Sequence, residues 1–144
     1  MKKLLVLYGS YRSDRAGIRL ADYCVRRFAE RGIEAELIDA KAVGLPMLDR
    51  MYKEYPKGEA PQAMEALAEK IRASDAFLFV VGEYNWSVQP GLKNLTDHFL
   101  EEWFWRPAAI ARTSGTCPDS RASVSSRKPS ARNRPAALRC FQME

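Results

Sequence analysis

Continuous apolar runs alternate along the chain with segments whose apolar positions recur every three to four residues. Residues 3–8 and 76–81 are the longest such runs, and they predict strands buried on both faces of a parallel sheet. A shorter run at 35–38 predicts another strand between them, and residues 107–110 are the candidate for a fourth. The apolar pattern therefore predicts four strands.

Three segments between these runs have helical periodicity. The first runs from Gly17 to Gly32, with apolar side chains on one face and charged side chains on the other. The other two begin near Pro61 and Pro90, and proline is favoured in the first turn of a helix. The order β-α-β-α-β-α-β predicts the α/β class, a doubly wound parallel sheet with helices on both faces.

Residues 113–144 depart from this alternation. They are rich in Ser, Arg and Pro and contain few large apolar side chains. Such a composition buries too little apolar area to offset the entropy of ordering the chain. We therefore expect an incomplete domain over residues 1–112 that lacks a fifth strand and a last helix. The atypical basic tail is expected to be disordered, or else translated from a shifted reading frame.

Net charge and cysteine content limit the kinds of partner and cellular location that the sequence predicts. The net charge is +5, but residues 1–110 hold 16 basic and 16 acidic residues, so the whole excess falls in residues 111–144. We therefore expect no specific nucleic-acid partner. The three cysteines lack the spacing of a metal site or a disulfide framework, and no apolar run is long enough to cross a membrane. A cytoplasmic location is the expectation.

Two loops follow central strands, where open α/β sheets bind their ligands. The first, residues 9–17, combines hydroxyls, arginines and the backbone N–H groups that open a helix, which suits a phosphate. A solvated polar turn has the same composition, so the residues alone leave both interpretations open. In the second loop, Tyr84 and Trp86 flank Asn85, which suits a flat heteroaromatic ligand. The alternative is a turn capped by Ser87 or Gln89 before a helix.

Two motifs in these loops resemble those of the NADPH-dependent FMN reductase family. They are Gly9-Ser10-x-Arg12 after the first strand and the segment 83–94, Glu-Tyr-Asn-Trp-Ser-Val-Gln-Pro-Gly-Leu-Lys-Asn, after the third. The resemblance spans roughly residues 1–112 and implies a flavodoxin-like sheet in the order 2-1-3-4. The sequence departs from the family at Gly82, where proline is common, and in the absence of a recognisable fifth strand.

The resemblance also implies a cofactor site. Ser10 and Arg12 are implied to hold the FMN phosphate, and Arg15, Gly17 and Ile18 are implied to complete the loop that binds it. The residues implied to line the ribityl chain and the edge of the flavin ring are Glu83, Tyr84, Asn85 and Ser87. No catalytic acid–base residue and no metal ligand is expected, because the cofactor itself carries the chemistry.

The implied activity is that of an FMN-dependent oxidoreductase that passes electrons from NADPH or NADH to a small molecule. The acceptor would be a quinone, an azo compound, a metal oxyanion or a flavin, and the protein would be a homo-oligomer, commonly a dimer. The alternative is a non-catalytic or truncated flavodoxin-like protein with impaired FMN binding.

Three further expectations concern single residues and one aromatic cluster. His98, the only histidine, is expected to be a solvated helix residue, since no nucleophile pairs with it in the sequence. Cys24 lies on the apolar face of the first helix and is expected in the core. Consecutive aromatics at 103–105 cannot all face one core, so part of this cluster is expected in the core and part at an oligomer contact.

Overall fold

The chain was examined as a computed structural model, which describes residues 2–113. Five strands and four helices are defined in this part of the chain, together with two short 3₁₀ helices at Tyr52–Glu54 and Glu101–Trp103. The elements are β1 (Lys3–Tyr8), α1 (Ile18–Ala29), β2 (Glu34–Asp39), α2 (Ala40–Val43), α3 (Gln62–Arg72), β3 (Ala76–Tyr84), β4 (Ser87–Val88), α4 (Pro90–Asp97) and β5 (Ala108–Thr113).

Four of the strands form a parallel sheet in the order β2-β1-β3-β5. Val6 in β1 pairs with Leu37 on one side and with Leu78 on the other, so β1 is central. The order 2-1-3-4 for the four predicted strands is confirmed, and the fourth, expected to begin within residues 107–110, extends over Ala108–Thr113. Parallel strands of this order define a flavodoxin-like doubly wound sheet.

A separate apolar cluster covers each face of the sheet. On one face, α1 packs through Ala21 against Val6 and Val80. On the other face, α3 and α4 pack through Met64 and Leu95. Helix α1 lies on one face of the sheet, and α3 and α4 lie on the other, as in doubly wound folds that bind their ligands at the carboxyl edge of the strands.

The predictions for residues 113–144 lie outside the described residues, except that Thr113 ends β5. The expected absence of a fifth strand and a last helix, the expected disorder of the tail and the hypothesis of a shifted reading frame all concern these residues. Within residues 2–113 no helix is both long enough and apolar enough to span a bilayer.

The expectation that His98 is solvated was wrong. The third predicted helix ends at Asp97, and the chain turns there, so that only 1% of His98 remains exposed. A 2.7 Å hydrogen bond joins its Nδ1 to the carbonyl oxygen of Asn94, and its own carbonyl accepts the N–H of Tyr52 at 2.7 Å. His98 is therefore a packed helix-end residue.

The aromatic cluster divides as the sequence predicts. Trp103 packs edge-on against Phe77, with ring centres 5.0 Å apart, whereas Phe104 is half exposed and Trp105 is fully exposed. An oligomer contact at the exposed part stays a prediction. Cys24 on α1 is half-buried against the apolar cluster between this helix and the sheet, and burial raises the pKa of its thiol.

Candidate functional site

The two predicted loops meet at one edge of the sheet. The hydroxyl oxygens of Ser10 and Tyr84 lie 2.6 Å apart, within hydrogen-bonding distance. Ser10 is 1% exposed and Tyr84 is half-buried, so this contact is part of the packed structure. It forms because β1 and β3 are parallel neighbours, and parallel neighbours end at the same edge.

Two glycines hold the first loop against the start of α4. A Cβ atom built on Gly91 would lie 2.4 Å from the carbonyl oxygen of Gly9 and 2.4 Å from the ring of Tyr11. A Cβ atom on Gly9 would lie 2.1 Å from the backbone nitrogen of Leu92. Tyr11 also donates its hydroxyl to the carbonyl of Ala40 at 2.9 Å. The loop is therefore fixed by backbone-to-backbone contact that only glycine allows.

Arg12 lies exposed on this loop and carries its charge toward solvent. Its Nε and Nη2 atoms each donate to a carboxylate oxygen of Asp14 at 2.9 Å. The hydrogen bond raises the pKa of Arg12 and lowers the pKa of Asp14, so both groups are charged at neutral pH. Because exposed pairs of this kind contribute little to stability, the guanidinium can exchange Asp14 for another anion.

Arg15, by contrast, is held by the protein. Its Nη1 atom donates to a carboxylate oxygen of Asp39 at 2.5 Å and to the carbonyl oxygen of Ser10 at 3.1 Å. The hydrogen bond to Asp39 is the main cause of the raised pKa of Arg15. Arg15 thus connects the end of β2 to the first loop.

The remaining two predicted residues of the first loop lie where α1 begins. Gly17 is the N-cap residue, with no side-chain capping bond, and Ile18 is the first helical residue. Ile18 packs against the apolar cluster under α1. These residues set the start of the helix and the position of its first N–H groups.

The second loop forms a β-hairpin. Strand β3 continues to Tyr84 and pairs with Ser87 of β4 across a two-residue turn. Asn85 and Trp86 have φ values of 49° and 66°, the signs required by a type I′ turn. Asn tolerates this conformation, but for Trp it is uncommon, and such strain costs on the order of 1–3 kcal/mol.

The polar side chains of the hairpin face solvent. Glu83, Asn85 and Ser87 are exposed, and Glu83 forms an ion pair with Arg112 of β5. Of the predicted alternative, a turn capped by Ser87 or Gln89 before a helix that Pro90 begins, the structure has Gln89 as the N-cap residue and Pro90 as the first residue of α4, but it has no side-chain capping bond. Gln89 is buried instead, and its Oε1 atom has no hydrogen-bond partner among the described residues.

The last residues of the second motif have structural contacts. Asn94 accepts the N–H of Leu48 at 2.9 Å and donates its amide to the carbonyl of Pro46 at 2.8 Å. Lys93 pairs with Asp97 one turn further along α4. Asn94 therefore fixes the segment after α2 beside the same helix that holds the first loop.

Asp39 and Arg112 also lie at the edge that carries the candidate site, and the sequence-based prediction did not include them. Asp39 ends β2 and Arg112 lies near the end of β5, so both strands deliver a charged residue to the edge that carries the two loops. The sequence could have identified both residues from their position, since each lies at or just after the end of a predicted strand. Within residues 2–113 no group of His, Cys, Asp and Glu side chains is arranged to hold a metal ion.

A parallel sheet of this order, with a hydroxyl- and arginine-bearing loop beside an aromatic hairpin at its carboxyl edge, defines a flavodoxin-like domain. The family model for NADPH-dependent FMN reductases matches residues 2–136, which runs past residue 112 into the Ser- and Arg-rich segment. The chain belongs to the NADPH-dependent FMN reductase family.

Individual relatives agree with this assignment. A probable NADPH:quinone oxidoreductase 1 of rice (Oryza sativa subsp. japonica) is 37% identical over 87 residues, which cover 58% of this chain and 43% of that protein. The NADPH:quinone oxidoreductase of Arabidopsis thaliana is 32% identical over 118 residues, covering 78% of this chain and 58% of that protein. The chain thus spans about half the length of these curated relatives.

A solved structure supports the same fold. FerB, described as a flavoenzyme NAD(P)H:(acceptor) oxidoreductase from Paracoccus denitrificans, aligns with a TM-score of 0.61 and 28% sequence identity. The alignment covers 78% of this chain and 60% of FerB.

Proposed function

We propose that the protein binds FMN at the edge formed by the two loops and acts as an NAD(P)H-dependent oxidoreductase. The observation that carries this proposal is the 2.6 Å contact between Ser10 and Tyr84, because it joins the phosphate loop to the aromatic hairpin in one pre-assembled site. Preorganisation of this kind lowers the entropic cost of binding a rigid ligand.

The residues present fit FMN. Arg12 is the exposed cation of the first loop, and it would exchange Asp14 for the phosphate. Ser10 is fixed beside it, while Arg15 holds the carbonyl of Ser10 and so orients the loop. The Oε1 atom of Gln89 has no hydrogen-bond partner within residues 2–113. Because Gln89 directly precedes α4, the helix that packs against the first loop, this atom is a buried acceptor at the end of that helix.

The hairpin would hold the flavin ring. Tyr84 is anchored through its hydroxyl, and the amide of Asn85 is exposed at the turn, where it can hydrogen-bond the polar edge of a flat ring. Glu83 and Ser87 are exposed on the two strands of the hairpin and supply further polar contacts. Gly17 and Ile18 would act indirectly by placing the first turn of α1 under the phosphate.

Bound FMN would supply two-electron redox chemistry between NAD(P)H and an acceptor. The protein's own groups bind and orient the cofactor, and no general acid or base is needed. A quinone is the acceptor class favoured by the names of the rice and Arabidopsis relatives. Azo compounds, metal oxyanions and free flavins are further acceptors for the same two-electron chemistry.

Titration of the apo-protein with FMN, followed by absorbance, tests the binding step, and NADPH oxidation with a soluble quinone tests the activity. Asn85→Ala and Asn85→Gly are a matched pair. Glycine keeps the positive φ of the turn but lacks the amide, so both variants should weaken FMN binding if the amide contacts the flavin. Parent-like binding by Asn85→Gly would limit Asn85 to a turn role. A parent protein that binds no FMN would instead favour the non-catalytic alternative.

A further inference from the structure

Strand β5 is an outer strand of the parallel sheet. It pairs with β3 on one side, and in the described part of the chain no strand pairs with its other side. The N–H of Phe77 donates to the carbonyl oxygen of Pro107 at 3.0 Å, and the register places Phe77 opposite Ala108. In a parallel ladder, the backbone groups of alternate residues bond to the neighbouring strand. The N–H and C=O groups of Ala108, Ile110 and Arg112 therefore point away from β3, along the open edge.

The side chains at the start and middle of this edge are small or apolar. Ala108, Ala109 and Ile110 are exposed, and 60% of the surface of Ile110 is accessible. Ile110 lies opposite Phe79 in the register, so its side chain lies on the face of the sheet that α3 and α4 cover. An exposed apolar edge strand is a template for pairing with another strand.

The opposite edge of the sheet, formed by β2, is protected by charge. Its Glu34 and Glu36 side chains form ion pairs with Lys3 and Lys70, respectively. Charged side chains along an edge strand oppose pairing with another chain. Strand β5 has no charged residue over positions 108–111, so its edge, unlike that of β2, permits the addition of a strand.

The β5 edge is complementary to itself. Two copies of β5 can pair antiparallel about a two-fold axis at Ile110, which places Ile110 opposite its own copy and Ala108 opposite Arg112 of the second copy. The two isoleucines then form an apolar cross-strand pair. The small side chain of Ala108 leaves room for Arg112, which stays paired with its own Glu83. A register centred on Arg112 would instead place two arginines opposite each other, which is unfavourable.

Two features of the sequence favour a second copy over other strands at this edge. Residues 1–110 hold 16 basic and 16 acidic residues, so no net charge on them repels a copy of the same chain. Residues 114–144 contain three prolines, and Val124 is their single valine or isoleucine. Since strands favour β-branched residues and exclude proline from their interior, the sequence predicts no strand from that segment for this edge.

We propose that β5 is the contact between two copies of this chain, which pair antiparallel about Ile110 and continue the sheet from one copy into the other. A single strand pair is a small interface, below about 1,200 Å² of buried surface, so we expect a reversible dimer. Dimerisation through β5 needs no FMN, so it is tested separately from the proposed function.

Sedimentation of the full chain over a range of protein concentrations measures the dimer, and Ile110→Lys is the direct variant. It places two lysines opposite each other at the axis and should weaken dimerisation by about three- to tenfold. Ile110→Val keeps an apolar β-branched residue and should dimerise like the parent. Met47→Lys controls for the added charge, because it alters another apolar side chain, 81% exposed, in the segment after α2. Circular dichroism should show an unchanged fold in all three variants.

A mixture of two variants tests the register of the pair. Ile110→Glu should also weaken dimerisation, whereas an equimolar mixture of Ile110→Lys and Ile110→Glu should dimerise more tightly than either variant alone, because opposite charges then face each other across the axis. A parent protein that stays monomeric at every concentration would overturn the proposal. So would a dimer that Ile110→Lys leaves unchanged, or a mixture that dimerises no more tightly than its components.

Discussion

The hydroxyl oxygens of Ser10 and Tyr84 lie 2.6 Å apart, although 74 positions separate the two residues in the chain. This contact connects the loop after β1 to the end of β3. Because of this contact the position of each loop depends on the other, so a substitution in one loop should also change the position of the other.

The Ser10–Tyr84 contact can be measured with a double-mutant cycle. Ser10→Ala and Tyr84→Phe each remove one partner, and we expect a coupling of about 0.5–1.5 kcal/mol in the free energy of unfolding. Urea unfolding of the four proteins provides the measurement. Strictly additive single-variant effects would show that the two hydroxyls do not support each other.

Arg12 and Asp14 should have opposite effects on FMN affinity. Arg12→Ala removes the exchangeable cation and should weaken FMN binding about ten- to a hundredfold. Asp14→Asn removes the competing carboxylate and should strengthen binding about two- to fivefold. Fluorescence titration of FMN measures both changes.

Arg19→Ala, an exposed arginine on α1, controls for the loss of positive charge. Circular dichroism should show an unchanged fold in all three variants. Arg12→Ala with the affinity of Arg19→Ala would remove Arg12 from the phosphate site.

Gly91→Ala should disturb both stability and cofactor binding. The added Cβ would meet the carbonyl of Gly9 and the ring of Tyr11 at 2.4 Å, so the first loop must move away from α4. We expect a loss of about 1–3 kcal/mol in the free energy of unfolding, typical of overpacking, together with weaker FMN binding.

Gly32→Ala is the comparison for this variant. Its Cβ meets open space, and only the φ of 73° opposes it, at about 1 kcal/mol. It should lower stability while leaving FMN affinity unchanged. If Gly91→Ala bound FMN as tightly as Gly32→Ala, the glycine contact would be a packing feature alone.

Tyr8 gives a prediction for alkaline pH. Burial raises the pKa of its phenol above the unfolded value of about 10, with the hydrogen bond to Ser10 acting in the opposite direction. The folded protein therefore keeps this proton longer than the unfolded chain does. The contribution of Tyr8 to the free energy of unfolding is fully present below about pH 10 and is lost as the pH rises through the folded-state pKa.

Tyr8→Phe should accordingly flatten the fall of the free energy of unfolding above about pH 10. Tyr23→Phe, which alters an exposed tyrosine on α1, should keep the parent slope. Denaturant unfolding between pH 8 and 11 measures all three proteins. Parallel curves for the parent and Tyr8→Phe would contradict the prediction.

Most of the fold could be predicted from the sequence because its signals are local. The continuous apolar runs marked β1 and β3, and the helical periodicity marked α1 and α3. The motifs at residues 9–12 and 83–94 placed the candidate site at strand ends. Each of these features depends on residues that are close in the chain.

What the sequence by itself determined was therefore the order of the elements, the family and the two loops that carry the candidate site. The tertiary structure decided which of those side chains remain available. Arg12 stays exposed, whereas Arg15 is bound by Asp39, and His98 turns inward where α4 ends. These outcomes depend on contacts between residues brought together by the crossovers of the sheet, and no local pattern specifies which partner at that edge a charged or polar side chain will meet.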